Sequence, residues 1–137
     1  MRNHRNLRAF QLGDELALLV YQDTKHFPKE VMFGLTAQIR RSAVSVPSNI
    51  VEGCGRQSEA DLVRFLDIAN GSLRELQYQL SLASRLGYLP HANQLQGDQS
   101  IVFETGRVLY GLLRSFRSDT LREANCEYES LVWDWGT

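Results

Sequence analysis

Leu62, Leu66, Ala69, Leu73, Leu76, Leu80 and Ala83 recur at spacings of 4, 3, 4, 3, 4 and 3 residues, without interruption over three heptads. Residues three and four apart share one face of an α-helix, whereas a strand would throw the same set onto alternate faces. The seam therefore requires a long helix that buries one stripe against other helices, as in a coiled coil. Its ends are marked too. Ser58-Glu59-Ala60-Asp61 reads as a capping box with Asp in place of the usual Glu or Gln. Gly87 supplies a stop, and Pro90 comes shortly after it. Gly71 interrupts the run at a cost of about 1 kcal/mol relative to alanine; it is either simply tolerated there or allows close approach of a neighbouring helix, the reading favoured here.

The rest of the chain is periodic at the same spacing. Leu12, Leu16, Leu19 and Val20 predict a helix over residues 8–25, closed by His26-Phe27-Pro28. Met32, Leu35, Ile39, Ala43, Val46 and Ile50 predict a second over residues 28–54, with Pro28 in its first turn and Gly53-Cys54-Gly55 as its stop. Pro47 lies inside this stripe. The stripe stays in phase beyond it, so the expectation is a kink, with Ser42, Ser45 and Ser48 placed to bond the freed carbonyls. A fourth helix is predicted over residues 92–118 from Val102, Leu109, Leu113 and Phe116, flanked by Ile101, Val108 and Leu112. Short connections between long helices force antiparallel neighbours. The fold class is all-α, an up-down-up-down four-helix bundle with a kinked second helix. Val63, Phe65, Ile68 and Leu82 lie outside the third helix's seam, an apolar excess that suits an oligomer interface.

Charge is unevenly spread. Residues 119–137 hold Asp119, Glu123, Glu127, Glu129 and Asp134 against Arg122 alone, a net −4 that leaves +3 on residues 1–118. The chain thus divides into a bundle domain, 1–118, and an acidic tail, 119–137. The tail ends in Trp133-Asp134-Trp135, with a turn or two of helix expected before a frayed end. Lys25 and Lys29 are the only lysines, so the positive charge is mostly arginine, the better residue for bidentate phosphate contacts. Cys54 and Cys126 are far apart and read as free thiols of a reducing compartment. No signal peptide and no run of about 18 apolar residues occurs, so a cytoplasmic location is expected without membrane contact.

Enzyme signatures are missing: there is no GxSxG, P-loop, GxGxxG or HExxH. His4, His26 and His91 fall at the N-terminus and in connections, and no Glu-x-x-His pair suits a bundle metal site. No catalysis, cofactor, metal or small-molecule substrate is expected. Two constellations remain. Asn49, Glu52 and Arg56, beside Gly53 and Gly55, read either as an ion pair with a helix cap or as a recognition cluster. Arg40, Arg41, Arg56 and Arg64 read either as solvated helix faces or as a basic patch across the second and third helices.

The run Gly34-Leu35-Thr36-Ala37-Gln38-Ile39-Arg40-Arg41-Ser42-Ala43-Val44-Ser45-Val46-Pro47-Ser48-Asn49-Ile50-Val51-Glu52-Gly53 carries a resemblance. It continues through Gly55-Arg56-Gln57-Ser58, Phe65-Leu66-Asp67-Ile68-Ala69-Asn70-Gly71-Ser72, Glu75-Leu76, Gln79-Leu80 and Leu86-Gly87-Tyr88-Leu89. Over about residues 10–118 the chain resembles a bacterial four-helix-bundle family first noticed as products of intervening sequences in 23S ribosomal RNA genes. The resemblance implies a barrel-like homopentamer. It also implies kinship with the accessory protein of diversity-generating retroelements, which binds nucleic acid and its reverse transcriptase through a basic surface. It gives Pro47, Gly53 and Gly55 structural roles, and Ser48, Asn49 and Glu52 motif or subunit-interface roles. Arg40, Arg41, Arg56 and Arg64 are the expected nucleic-acid contacts. The expected function is a non-enzymatic oligomeric scaffold for structured RNA or an RNA-protein complex. The acidic tail, with Trp133 and Trp135, points instead to a protein-protein adaptor.

Overall fold

In a computed structural model, which describes residues 2–117, four helices carry the fold: α1 (Arg8–Asp23), α2 (Leu35–Cys54), α3 (Glu59–Arg85) and α4 (Ile101–Ser115). No strand occurs among the described residues. The whole predicted seam of α3 is buried, and α3 is capped at both ends. The Ser58 hydroxyl accepts from the Asp61 amide at 3.1 Å. At the other end Gly87, at φ +85°, closes a Schellman motif: Tyr88 N donates to Ala83 O at 2.9 Å, and Gly87 N to Ser84 O at 3.0 Å.

The helices alternate in direction, as cross-contacts between them show. Arg2 N reaches Cys54 O at 2.9 Å, Gly13 faces Val46 and Pro47, and Thr24 meets Arg40, so α1 and α2 run antiparallel. Gly53 against Leu62 and Phe65, and Ser45 against Ser72, set α2 against α3 in the same sense. Arg117 pairs with Asp67, and Tyr110 shares a cleft with Arg74, which sets α4 against α3. α4 packs back on α1, closing a four-helix bundle. Its centre is filled by Leu16, Val20, Ile39, Ala43, Val46, Ile50, Leu109 and Leu113 around the α3 seam.

Two helix starts differ from the sequence expectation. α2 begins at Leu35, not near Pro28; Lys29–Val31 form a 3-10 turn, and Gly34 at φ −106°, ψ −109° leaves the helical region. Met32, assigned to the buried stripe, is consequently 47% exposed, and its neighbour Phe33 is 92% exposed. α4 begins at Ile101, not 92. Residues 90–100 form an ordered connection in which Asn93 bonds Pro90 O, Leu95 N and Gln96, Leu89 and Leu95 are buried, and Gly97 takes φ +99°. The helix start is set by Ser100, whose hydroxyl accepts from Phe103 N at 3.1 Å. α2 runs unbroken through Pro47, as its in-phase stripe requires.

The glycine of close approach is also a different one. A Cβ at Gly71 would meet nothing within 4 Å, so no neighbouring described helix explains that residue. A Cβ at Gly53 would lie 3.0 Å from Phe65 Cβ, 3.2 Å from Leu62 Cδ1 and 3.3 Å from Leu62 O. Gly53 thus lets the end of α2 seat on the start of α3. Gly53→Val should cost about 1–3 kcal/mol through forced separation of the two helices. Gly111→Ala, where added bulk meets open space, should gain up to about 1 kcal/mol from helix propensity. Urea unfolding followed by circular dichroism checks both signs.

Candidate functional site

The four arginines singled out by sequence fall into two groups. Arg40 and Arg41 lie near the start of α2, and Arg56 and Arg64 at the α2–α3 corner. Sixteen residues at the helical rise put Arg40 about 24 Å from Arg56, so the four do not make one continuous patch.

Arg40 has a structural task. Its Nε donates to Thr24 Oγ1 at 2.9 Å, its terminal nitrogen reaches Tyr21 O at 3.5 Å, and its guanidinium lies 4.7 Å from the Tyr21 ring centroid. The Thr24 hydroxyl donates onward to Val20 O at 2.8 Å. A cation is thereby held at the C-terminal end of α1, where the helix dipole is negative. Arg41, one residue on and about 100° around the helix, is exposed and lines the grooves on both sides of α2.

At the corner, Phe65 lies between two guanidinium groups, Arg56 at 4.9 Å and Arg64 at 4.4 Å from its centroid. Arg56 pairs with Glu52 at 2.6 Å and Arg64 with Asp61 at 3.7 Å. Both pairs are largely solvent-exposed, so each is worth little in stability, and each carboxylate cancels the charge its arginine would offer a phosphate. Phe65, Val63 and Leu82 are half-buried; of the apolar excess on α3, Ile68 remains exposed.

Asn49 does not join Glu52 and Arg56. Its amide donates to Ser45 O at 2.8 Å and to Ser45 Oγ at 2.9 Å, and Ser45 Oγ lies 2.7 Å from Ser72 Oγ. This Asn49–Ser45–Ser72 chain ties α2 to α3. It also takes Ser45 away from the Pro47 kink position assigned to it. The spacing of Ser45 and Asn49, one turn apart, was the available signal; their link to Ser72 depends on helix pairing and has no local signature. Ser48 is exposed, Pro47 is buried against Gly13, Gly53 makes the α2–α3 contact, and Gly55 closes α2 through its amide bonds to Val51 O and Glu52 O.

Exposed apolar surface gathers elsewhere. Tyr21, Met32, Ala37 and Val44 line an open groove of about 640 Å³ between α1 and α2, bordered by Arg40 and Arg41. Phe33, next to Met32 in sequence, is exposed, as is Leu18 on α1. Of the histidines, His26 and His91 are exposed, and His4 packs edge-on to Phe10 at 4.7 Å. Among the described residues no three His, Cys, Asp or Glu side chains converge to hold a metal. Burial pushes the Cys54 thiol pKa up, with Arg2 partly opposing. No helix among them is long and apolar enough to cross a membrane. Trp133, Trp135 and Cys126, with the acidic tail, lie outside the described residues.

Such a fold and surface define an all-helical four-helix-bundle protein. Residues 5–111 match the family described as 23S rRNA-intervening sequence protein. The chain belongs to that family. Comparison with curated proteins gives no significant match.

Arg40→Ala should lower stability by about 1–2 kcal/mol, through two hydrogen bonds and a cation–π contact. Arg41→Ala should stay within about 0.5 kcal/mol of the parent. Parallel thermal melts at fixed concentration separate the two roles.

Proposed function

We propose that the protein is a non-enzymatic assembly scaffold of the cytoplasm, a homo-oligomer whose subunits meet through the α1/α2 groove. One observation carries this reading: the apolar side chains of Tyr21, Met32, Ala37 and Val44 line one open groove, and Phe33, next to Met32 in sequence, is 92% exposed. A contiguous apolar surface rimmed by arginine is costly to leave in water and suits a protein contact. The family resemblance supports five subunits. Phe33→Asp combined with Val44→Glu should reduce the mass measured by light scattering to that of one chain, with the helical spectrum retained. An unchanged mass would remove the α1/α2 groove as the contact.

A second reading, RNA binding by the assembled scaffold, is favoured by Arg41, which is exposed and makes no ion pair among the described residues. The family description and the kinship we infer with retroelement accessory proteins support it. One arginine per subunit is a weak site, but repetition around an oligomer raises avidity without new contacts. Arg56 and Arg64 would add to it only by exchanging Glu52 and Asp61 for phosphate. Anisotropy of a labelled ribosomal RNA hairpin should show binding that weakens steeply with salt, and Arg41→Glu should abolish it. Absence of binding at low salt by the folded oligomer would leave the protein-protein adaptor, recruiting through the acidic tail.

A further inference from the structure

A second groove, of about 440 Å³, runs between α2 and α3. Gln38, Arg41 and Ser42 line it from α2, and Glu75 and Gln79 from α3. Ser45 and Ser72, whose hydroxyls meet at 2.7 Å, join the two walls. Every lining side chain is polar, whereas apolar side chains gather in the α1/α2 groove. Apart from the two serines, these side chains spend none of their bonding capacity on the chain. Among the described residues no hydrogen bond or ion pair engages the side chain of Gln38, Arg41, Ser42, Glu75 or Gln79. Ser42 is nevertheless only 7% exposed, and the Gln79 side-chain oxygen is buried without a donor. Polar groups so placed ordinarily have a partner.

The distribution of charge limits what that partner can be. Arg41 and Glu75 are both exposed and line one groove from opposite helices, yet form no ion pair with each other. The α2 wall offers donors: the Arg41 guanidinium and, one turn before it, the Gln38 amide. The α3 wall offers acceptors: the Glu75 carboxylate and, one turn after it, the Gln79 amide oxygen, which no bond within the chain keeps from turning outward. A simple anion would satisfy Arg41 and be repelled by Glu75. A simple amine would satisfy Glu75 and be repelled by Arg41. Only a molecule that carries both charges answers both walls.

We propose that the α2/α3 groove binds a small zwitterion of the α-amino acid class. Its carboxylate lies on Arg41 and Gln38, and its ammonium on Glu75 and Gln79. Its side chain is polar, to suit walls without apolar surface, and reaches the Ser42 hydroxyl. Both charged rims face solvent, so binding is weak and weakens further in salt. The site does not depend on assembly through the α1/α2 groove. Because Arg41 borders both grooves, an occupied site engages the guanidinium that the RNA reading requires.

Saturation-transfer NMR on the full-length protein at low salt tests this with L-glutamine as the probe. Saturable binding is expected. N-acetyl-L-glutamine, which lacks the ammonium, and L-glutamine amide, which lacks the carboxylate, should each bind several-fold more weakly. Arg41→Gln should remove the difference between L-glutamine and its amide. Glu75→Gln should remove the difference between L-glutamine and its N-acetyl form. Both positions are exposed, so helical content should hold in each variant. Three results would overturn the proposal: no saturable binding of L-glutamine, blocked forms that bind as well as the free amino acid, or variants that keep the parent's discrimination.

Discussion

Burial of the α3 seam is the interaction on which the other contacts depend. Seven positions at heptad spacing are all removed from water, and five of them are leucines worth about 1.5–3 kcal/mol each on burial. That is comparable to the net stability of about 5–15 kcal/mol of a whole domain. α3 touches α2 and α4 directly, and its stripe forms the floor on which the inner faces of all four helices meet. Gly53 extends the contact to the end of α2, where any Cβ would press on Leu62 and Phe65. The α2–α3 corner is therefore fixed by shape, and the polar chain Asn49–Ser45–Ser72 lies along a pairing that apolar packing has already made.

How much of the fold is legible in the sequence depends on which signals are local. The α3 seam, its Ser58 cap, its Gly87 stop and the stripe across Pro47 each lie within one helix, and each is found where periodicity placed it. The errors arose at the ends of α2 and α4, where stripe and backbone disagree. Met32 is in phase with Leu35 and Ile39, but Gly34 stands between them and breaks the helix, so Met32 is turned outward. Ser100 is a strong cap, yet Leu95 extends the apolar pattern upstream, and its burial in a connection mimics another helical turn. Gly71 and Gly53 could not be told apart by sequence. Each is a glycine in or ending a helix, and only the placement of the neighbouring helix shows which one is crowded.

The arginines show the same limit in the candidate site. Arg40 and Arg41 are adjacent in sequence and equal in charge, but the 100° step between them gives one to the end of α1 and the other to solvent. Arg56 and Arg64 converge on Phe65, a contact between two elements that no spacing rule contains. Charge counting left four cations as either solvated helix faces or a basic patch. The fold leaves one of them capping a helix, two beside carboxylates, and one exposed.

That distribution constrains any binding partner. Guanidinium groups already engaged with Glu52 and Asp61 must exchange one anion for another, which returns little net energy in water at ordinary ionic strength. Arg41 has no such exchange to make, but it lies about 18 Å along α2 from Gly53, against which Phe65 packs. A compact ligand can reach one group or the other, never both. Only an extended polyanion running along α2, or a ring that repeats Arg41 from subunit to subunit, can draw on enough of these charges to bind tightly. The apolar α1/α2 groove and the arginine that borders it therefore belong to one argument: self-association is what would turn a solitary exposed cation into a charged surface.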